Sequence, residues 1–143
     1  MAEQVYYRIV KAELSQFATL TDSYDSKSKT IQNNEMSMTF DSSSSVLSCL
    51  FSVILRDENN NPLMKATMIC GFEIKKESVD AISRDGKVTF PASILTHLAS
   101  LTYSSMRGAI SVKAEDTPFR GFVLPFCNVA EHIKSAASFK LSE

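Results

Sequence analysis

VLSCLFSVILR (46–56), DENNNP (57–62) and LMKATMICGFEIK (63–75) decide the fold class. Two long apolar-rich runs flank a turn whose Asn and Pro content favours chain reversal, the pattern of a β-hairpin. The register can be worked out from the letters. If Arg56 faces Leu63, then Leu55 faces Met64, Val53 faces Ala66, Phe51 faces Met68, Cys49 faces Cys70 and Leu47 faces Phe72, and every member of that set from Leu55 onward is apolar. The other face mixes Ser48, Leu50, Ser52, Ile54 and Arg56 with Lys65, Thr67, Ile69 and Glu73. Side chains alternate along a strand, so a slip of one residue would turn the whole apolar set outward. One face is therefore core, with Cys49 and Cys70 together on it, and the other is at least partly wet.

Upstream, residues 5–14 alternate, with Tyr6, Val10, Ala12 and Leu14 in one parity. Phe17 breaks that parity, which predicts a bulge or bend near Ser15-Gln16. Residues 21–29 are rich in Ser, Asp and Lys and read as a polar loop or crossover. The next strand puts Met36, Met38 and Phe40 on one face and Glu35, Ser37 and Thr39 on the other. The run from Asp41 to Ser45 reads as a short connection; a serine nucleophile there would need a base and a strained elbow, and neither is visible.

Downstream of a connection containing Arg84-Asp85-Gly86 the period changes. Phe90-Pro91 opens a helix and Arg107-Gly108 closes it, a span of about 25 Å. Leu101, Ile94, Leu98, Leu95, Met106, Ala99 and Tyr103 cover an arc of roughly 200° on the helical wheel, about twice the usual stripe. One sheet cannot cover that arc, so Ile94, Leu95, Leu98, Leu101 and Met106 are candidate oligomer-interface residues. Residues 109–114 read as extended. After Thr117-Pro118-Phe119 and Leu124-Pro125-Phe126, Asn128 with Glu131 starts a short last helix carrying Val129, Ile133 and Ala136. The expected fold is a single α+β domain over residues 1–143: a four-stranded antiparallel sheet, a long helix and a short C-terminal helix, in an oligomer.

With 143 residues, 15 basic and 16 acidic side chains and a net charge of -1, the chain has no electrostatic footprint for nucleic acid or for an anionic membrane. The first residues include an acid and no apolar run follows, so a cytoplasmic protein without membrane insertion is expected. The three cysteines, Cys49, Cys70 and Cys127, lack metal-ligand spacing and read as reduced thiols. No cofactor or metal is expected, and no catalytic residue: His97 and His132 sit apart from any convergent carboxylate, and the pairs Glu73/Glu77 and Asp22/Asp25 read as solvated charges.

The words around the long helix, taken in order, resemble the SecB family of export chaperones. Phe90-Pro91 stands at its start, Arg107-Gly108 at its end, then Thr117-Pro118-Phe119, and Leu124-Pro125 with Asn128-Val129 just after. The likeness covers roughly the C-terminal half in letters and the strand half in arrangement. It implies a four-stranded antiparallel sheet with helices on one face, and dimers pairing into tetramers with long helices between sheets. Weak docking to the motor ATPase SecA is expected, because SecB is markedly acidic and this chain is not. Residues 21–29 also lack the aromatic and proline features of the corresponding SecB loop.

Three functions follow. The first is a SecB-like holdase, binding unfolded or partly folded clients through apolar grooves without nucleotide. The second is a dedicated module on the same fold, such as a guardian of one antitoxin-like partner. The third is a hot-dog-type thioesterase, disfavoured because residues 91–107 contain no Asp or Glu and the helix follows four strands. Candidate client contacts are Leu50, Ile54 and Ile69 on the wetter sheet face and the aromatics Tyr6, Tyr7, Phe119, Phe122 and Phe126. The inward methionines Met36, Met38, Met64 and Met68, with Met106, read as filling between sheet and helix rather than as an adaptable surface.

Overall fold

A computed structural model describes residues 4–25, 27–125, 127–131, 133 and 135–141. Four long strands, β1 (Tyr7–Thr19), β2 (Thr30–Asp41), β3 (Val46–Asp57) and β4 (Pro62–Ile74), form one antiparallel sheet in the order β1-β4-β3-β2. β2, β3 and β4 form a meander. β1 lies beside β4, so the 20–29 connection crosses from one sheet edge to the other in a Greek-key arrangement.

The hairpin register is the one read from the letters. Leu47↔Phe72, Cys49↔Cys70, Phe51↔Met68, Val53↔Ala66 and Leu55↔Met64 are directly opposed, and all ten side chains are at most 4% exposed. Only the last step differs: Arg56 meets Pro62, not Leu63, at an irregularity beside the turn. In that turn Asp57 Oδ1 accepts the backbone N–H groups of Asn59 and Asn61, and Asn60 takes the left-handed conformation (φ 67°) that asparagine tolerates. The bulge read near Ser15 is present, between Leu14 and Gln16, and a second falls between Ile9 and Lys11.

The helix departs from expectation at its end. A short helix, α1 (Lys76–Ala81), and a small hairpin, β5 (Ser83–Arg84) with β6 (Lys87–Phe90), precede it; Asp85 and Gly86, both at positive φ, make the two-residue turn. The long helix, α2, then runs from Ala92 to Lys113, straight through Arg107-Gly108. Glycine in a helix interior costs about 1 kcal/mol relative to alanine. Continuing the helix buries Ile110 and Ala114 completely, one and two turns beyond Met106. Burying an isoleucine contributes about 1.5–3 kcal/mol, which outweighs the glycine. Residues 109–113 are therefore helical, not extended.

The wide apolar arc of α2 is also covered differently from the expectation. Leu95, Leu98 and Met106, read above as interface candidates, are at most 2% exposed within this single chain. One side of the helix lies on the sheet, and the segment after it wraps the next side. There Phe119, Leu124 and Val129 are buried, Tyr103 Oη donates to the Pro125 carbonyl (2.7 Å), and Arg107 Nε donates to the Leu124 carbonyl (2.9 Å). Only Ile94 and Leu101 of the five candidates keep an accessible side, and Val112, in line with them, is 73% exposed.

The C-terminal helix is not formed among the described residues. Val129–Glu131 is a single 3-10 turn, and the chain continues as β7 (Ala137–Lys140), paired antiparallel with β6. Ala137, Phe139 and Leu141 pack on the core while Ser138 and Lys140 face out. Phe139 meets Phe90 and Phe40 at ring-centroid distances of 5.9 and 6.3 Å. Alternation at 137, 139 and 141 with a free β6 edge at hand outweighs the helical spacing of Val129, Ile133 and Ala136.

Candidate functional site

The sheet has two unlike faces. The inner one carries the core: Met64 and Met68, with Met106 from α2, are buried, and Met36 and Met38 are half-buried beside them, the inward parity expected of all five. No described element lies across the outer face. Its centre is apolar and hydroxylic: Leu50 lies directly opposite Ile69, Ser52 opposite Thr67, and Ile54 opposite Lys65. The Ser52 and Thr67 hydroxyls bond each other at 3.0 Å. Arg8, Lys11, Glu13, Glu35, Arg56 and Glu73 form the rim, Arg8 pairing with Glu73 at 2.8 Å. Leu50, Ile54 and Ile69 are each half-buried by these neighbours rather than by a covering layer.

At one end of the sheet Tyr6, Tyr7, Arg8, Glu73 and Lys75 line a shallow cavity of about 230 Å³. Tyr6 is 54% exposed and Lys75 Nζ lies 5.8 Å over its ring. Its backbone N–H donates to Ser78 Oγ, which fixes the chain entering β1. Tyr7 turns inward, edge-on to Phe72, with its hydroxyl 2.7 Å from His97 Nε2 on α2.

At the opposite end, Tyr24 from the 20–29 connection stacks on Phe119 (4.5 Å) and meets Phe122 edge-on (5.7 Å). This corrects two readings. The connection contributes an aromatic anchor after all, and Phe119 is 0% exposed, a core residue that a client could not reach without displacing Tyr24. Phe122 stays half-buried. Phe126, with His132, lies outside the described residues. The candidate contacts therefore fall in three places, the Tyr6/Tyr7 end, the outer face and the Phe122 end. Sequence reasoning missed the exposed apolar residues Ile9, Leu20, Ile31, Val112 and Val123. Ile9 had a hidden cause: the bulge at Val10 leaves both neighbours at the surface, and two adjacent apolar letters show no break in parity.

Burial pushes the Cys49 thiol up to about 11, against a hydrogen bond from Thr102 that lowers it, and burial raises Cys127 as well. Cys49 and Cys70 are free thiols on one buried face. Among the described residues, no group of three or more His, Cys, Asp or Glu could hold a metal ion, and no helix is long and apolar enough to cross a membrane.

No protein-family model matches the sequence, and no curated protein matches it. Among solved structures, the chain is similar to the Mycobacterium tuberculosis SecB-like chaperone Rv1957, solved in complex with a ChAD peptide from the HigA1 antitoxin. The identity is 14% and the TM-score 0.47, over 87% of this chain and 90% of that one. A match that remote transfers no residue and no role.

Proposed function

We propose that this chain is a non-enzymatic, SecB-like chaperone of the cytoplasm that holds non-native polypeptide segments through apolar contact, without nucleotide. The uncovered outer face, with Leu50, Ile54 and Ile69 at its centre, Lys65 beside Ile54 and the other charges toward its rim, carries the reading. Apolar area ringed by polar residues on an otherwise ordinary surface marks a protein-binding site. Unfolded segments suit such a surface because it offers shape-tolerant area and sheet edges rather than one fixed pocket. The chain also self-associates, as a dimer or a pair of dimers, through the α2 seam of Ile94, Leu101 and Val112.

The test is light scattering of an unrelated client refolding from denaturant. Equimolar protein should suppress aggregation without ATP, and 0.3 M salt should change this little, since screening weakens charge contacts and spares apolar ones. Leu50→Glu with Ile69→Lys, an opposite-charge pair directly across the hairpin, should abolish suppression while leaving the melting temperature within a few degrees, because neither side chain reaches the core and the two charges offset each other. Failure of the unsubstituted protein to suppress at all would rule out a general holdase and favour the dedicated-partner reading. A pull-down with SecA should recover little, in line with the net charge of -1.

A further inference from the structure

The three-stranded sheet β5-β6-β7 holds its last strand poorly. β7 meets β6 over four residues, Lys87↔Lys140, Val88↔Phe139, Thr89↔Ser138 and Phe90↔Ala137. Its anchors are Ala137, Phe139 and Leu141 packed on the core, the Phe139 ring against Phe40 and Phe90, a 2.7 Å contact between the Thr89 and Ser138 hydroxyls, and the Leu141 N–H on the Gly86 carbonyl at 2.9 Å. Against them stands the entropy of ordering the strand. The register adds a second penalty. Lys140 is directly opposite Lys87, and Lys87 is directly opposite Arg84 on its other side, so three exposed cations form one row across the sheet. The three ion pairs recorded among the described residues involve none of them. Like charges directly opposite one another destabilise a strand pair.

What β7 occupies is a well-formed seat. β6 offers the edge that β7 pairs with, Phe40 and Phe90 offer an aromatic wall, and a groove of about 280 Å³ runs between Met36, Met38 and Leu95 on one side and the resident Ile133, Ala136, Ala137 and Phe139 on the other. We propose that this seat is a docking site for an extended segment of a partner polypeptide that exchanges with β7. The partner segment has apolar side chains at two alternate positions, matching Ala137 and Phe139, and a carboxylate at the next, facing Lys87. The chain's own strand shows the spacing that fits, and the cationic row shows the charge that is missing. This rests on the polypeptide-binding reading above and names one site and one partner chemistry for it. A tethered strand competes at an effective concentration in the millimolar range. An incoming segment gains a few-fold over β7 by correcting the charge mismatch that β7 carries, and its concentration supplies the rest.

The probe is a labelled synthetic peptide of residues 135–141 bearing Lys140→Glu, titrated by fluorescence anisotropy against the full chain. Phe139→Ala in the protein loosens the resident strand and should tighten peptide binding about tenfold. Lys140→Glu in the protein lets the resident strand make the same charge contact; it should weaken peptide binding about tenfold and raise the melting temperature, a readout that survives even if Phe139→Ala folds poorly. Adding Lys87→Glu to either protein should invert the preference between the altered and unaltered peptides. Equal affinity across these folded variants, or a peptide preference indifferent to Lys87→Glu, would overturn the proposal. If the unaltered peptide bound as tightly as the acidic one, the occupant would be β7 of a second copy, and the acidic partner would fall. Should the variants leave peptide binding unmoved while the protein still suppresses aggregation, this seat fails and the broader function stands.

Discussion

Replacing Leu98 and Leu101 with aspartate, one at a time, separates the core of the chain from the surface it offers to a second copy. The two residues are three apart on α2, yet Leu98 is 0% exposed against the sheet while Leu101 is only partly buried. At Leu98 the change removes a fully buried side chain, about 2–3 kcal/mol. It also forces a carboxylate into an apolar layer, several kcal/mol more if it has no partner. A domain of this kind is stable by about 5–15 kcal/mol in all, so Leu98→Asp should leave little folded protein. At Leu101 the lost burial is partial and the carboxylate can reach water. The remaining cost is a lower helix propensity, about 0.5 kcal/mol, plus about 1 kcal/mol in packing, or a few degrees of melting temperature. Circular dichroism melts should therefore separate the variants sharply. Multi-angle light scattering at micromolar concentration should show an oligomer for the unsubstituted chain and a folded monomer for Leu101→Asp. If Leu101→Asp unfolded as completely as Leu98→Asp, the phase assigned to α2 would be wrong. If the unsubstituted chain were a monomer, self-association would be lost and the fold argument kept.

Cys49 and Cys70 should resist a thiol reagent at pH 8 in the native protein and react at once in denaturant, read by mass spectrometry of the labelled peptides; rapid native labelling of Cys49 would contradict its burial. The Cys49 thiol is raised to about 11 in the folded chain, above its ordinary value of 9.0. The native state then holds the proton that the unfolded state releases, so this contribution to stability is full below pH 9 and is lost as pH rises toward 11. A denaturation midpoint that rose over that interval would refute the assignment. Asp57 has the opposite sign. The Asn61 N–H, then its side chain and the Asn59 N–H, hold its carboxyl below the usual value of 3.8. Its stabilisation is present above that value and fades as pH falls through the lower folded one. Asp57→Ala should lower the melting temperature at pH 7 and flatten its fall at acid pH, with Asp57→Asn intermediate; equal melts for all three would show that the turn does not depend on this side chain.

The hairpin was legible because one face of a period-2 pattern is buried: each of the ten side chains from Leu47 to Phe72 constrains the same parity, and the polar ones lie on the other side. The bulge at Ser15 was legible for the same reason, since Phe17 could not otherwise face inward. Where the pattern has no contrast, it carries no register. Ile9-Val10 is apolar on both sides of a bulge, and nothing in the letters separates a strand that bulges there from one that does not. Gly108 misled in the other direction. Glycine punctuates a helix only when its neighbours gain nothing by continuing, and Ile110 and Ala114 gain complete burial. The end of the chain was misread because Ala136, Ala137 and Phe139 satisfy helical and extended spacings over so few residues. The unpaired edge of β6 decides between them, and it is a tertiary fact.

The candidate surface was less legible than the core because exposure is a property of what lies across a residue. Phe119 and Phe122 are equivalent as letters; Tyr24, a hundred residues earlier in the chain, stacks on the first and leaves the second half open. What remains accessible has a consistent geometry. The Tyr6 end and the Tyr24 end lie at opposite ends of β1, whose 13 residues span about 40 Å at the usual rise. Leu50, Ile54 and Ile69 lie on the outer face between them. No small molecule spans that distance, and a folded protein would need a matching concave surface to follow a twisted sheet. Under the proposed function an extended polypeptide of about a dozen residues would cover the same length. The spread of the apolar residues is what the proposed polypeptide-holding function would use.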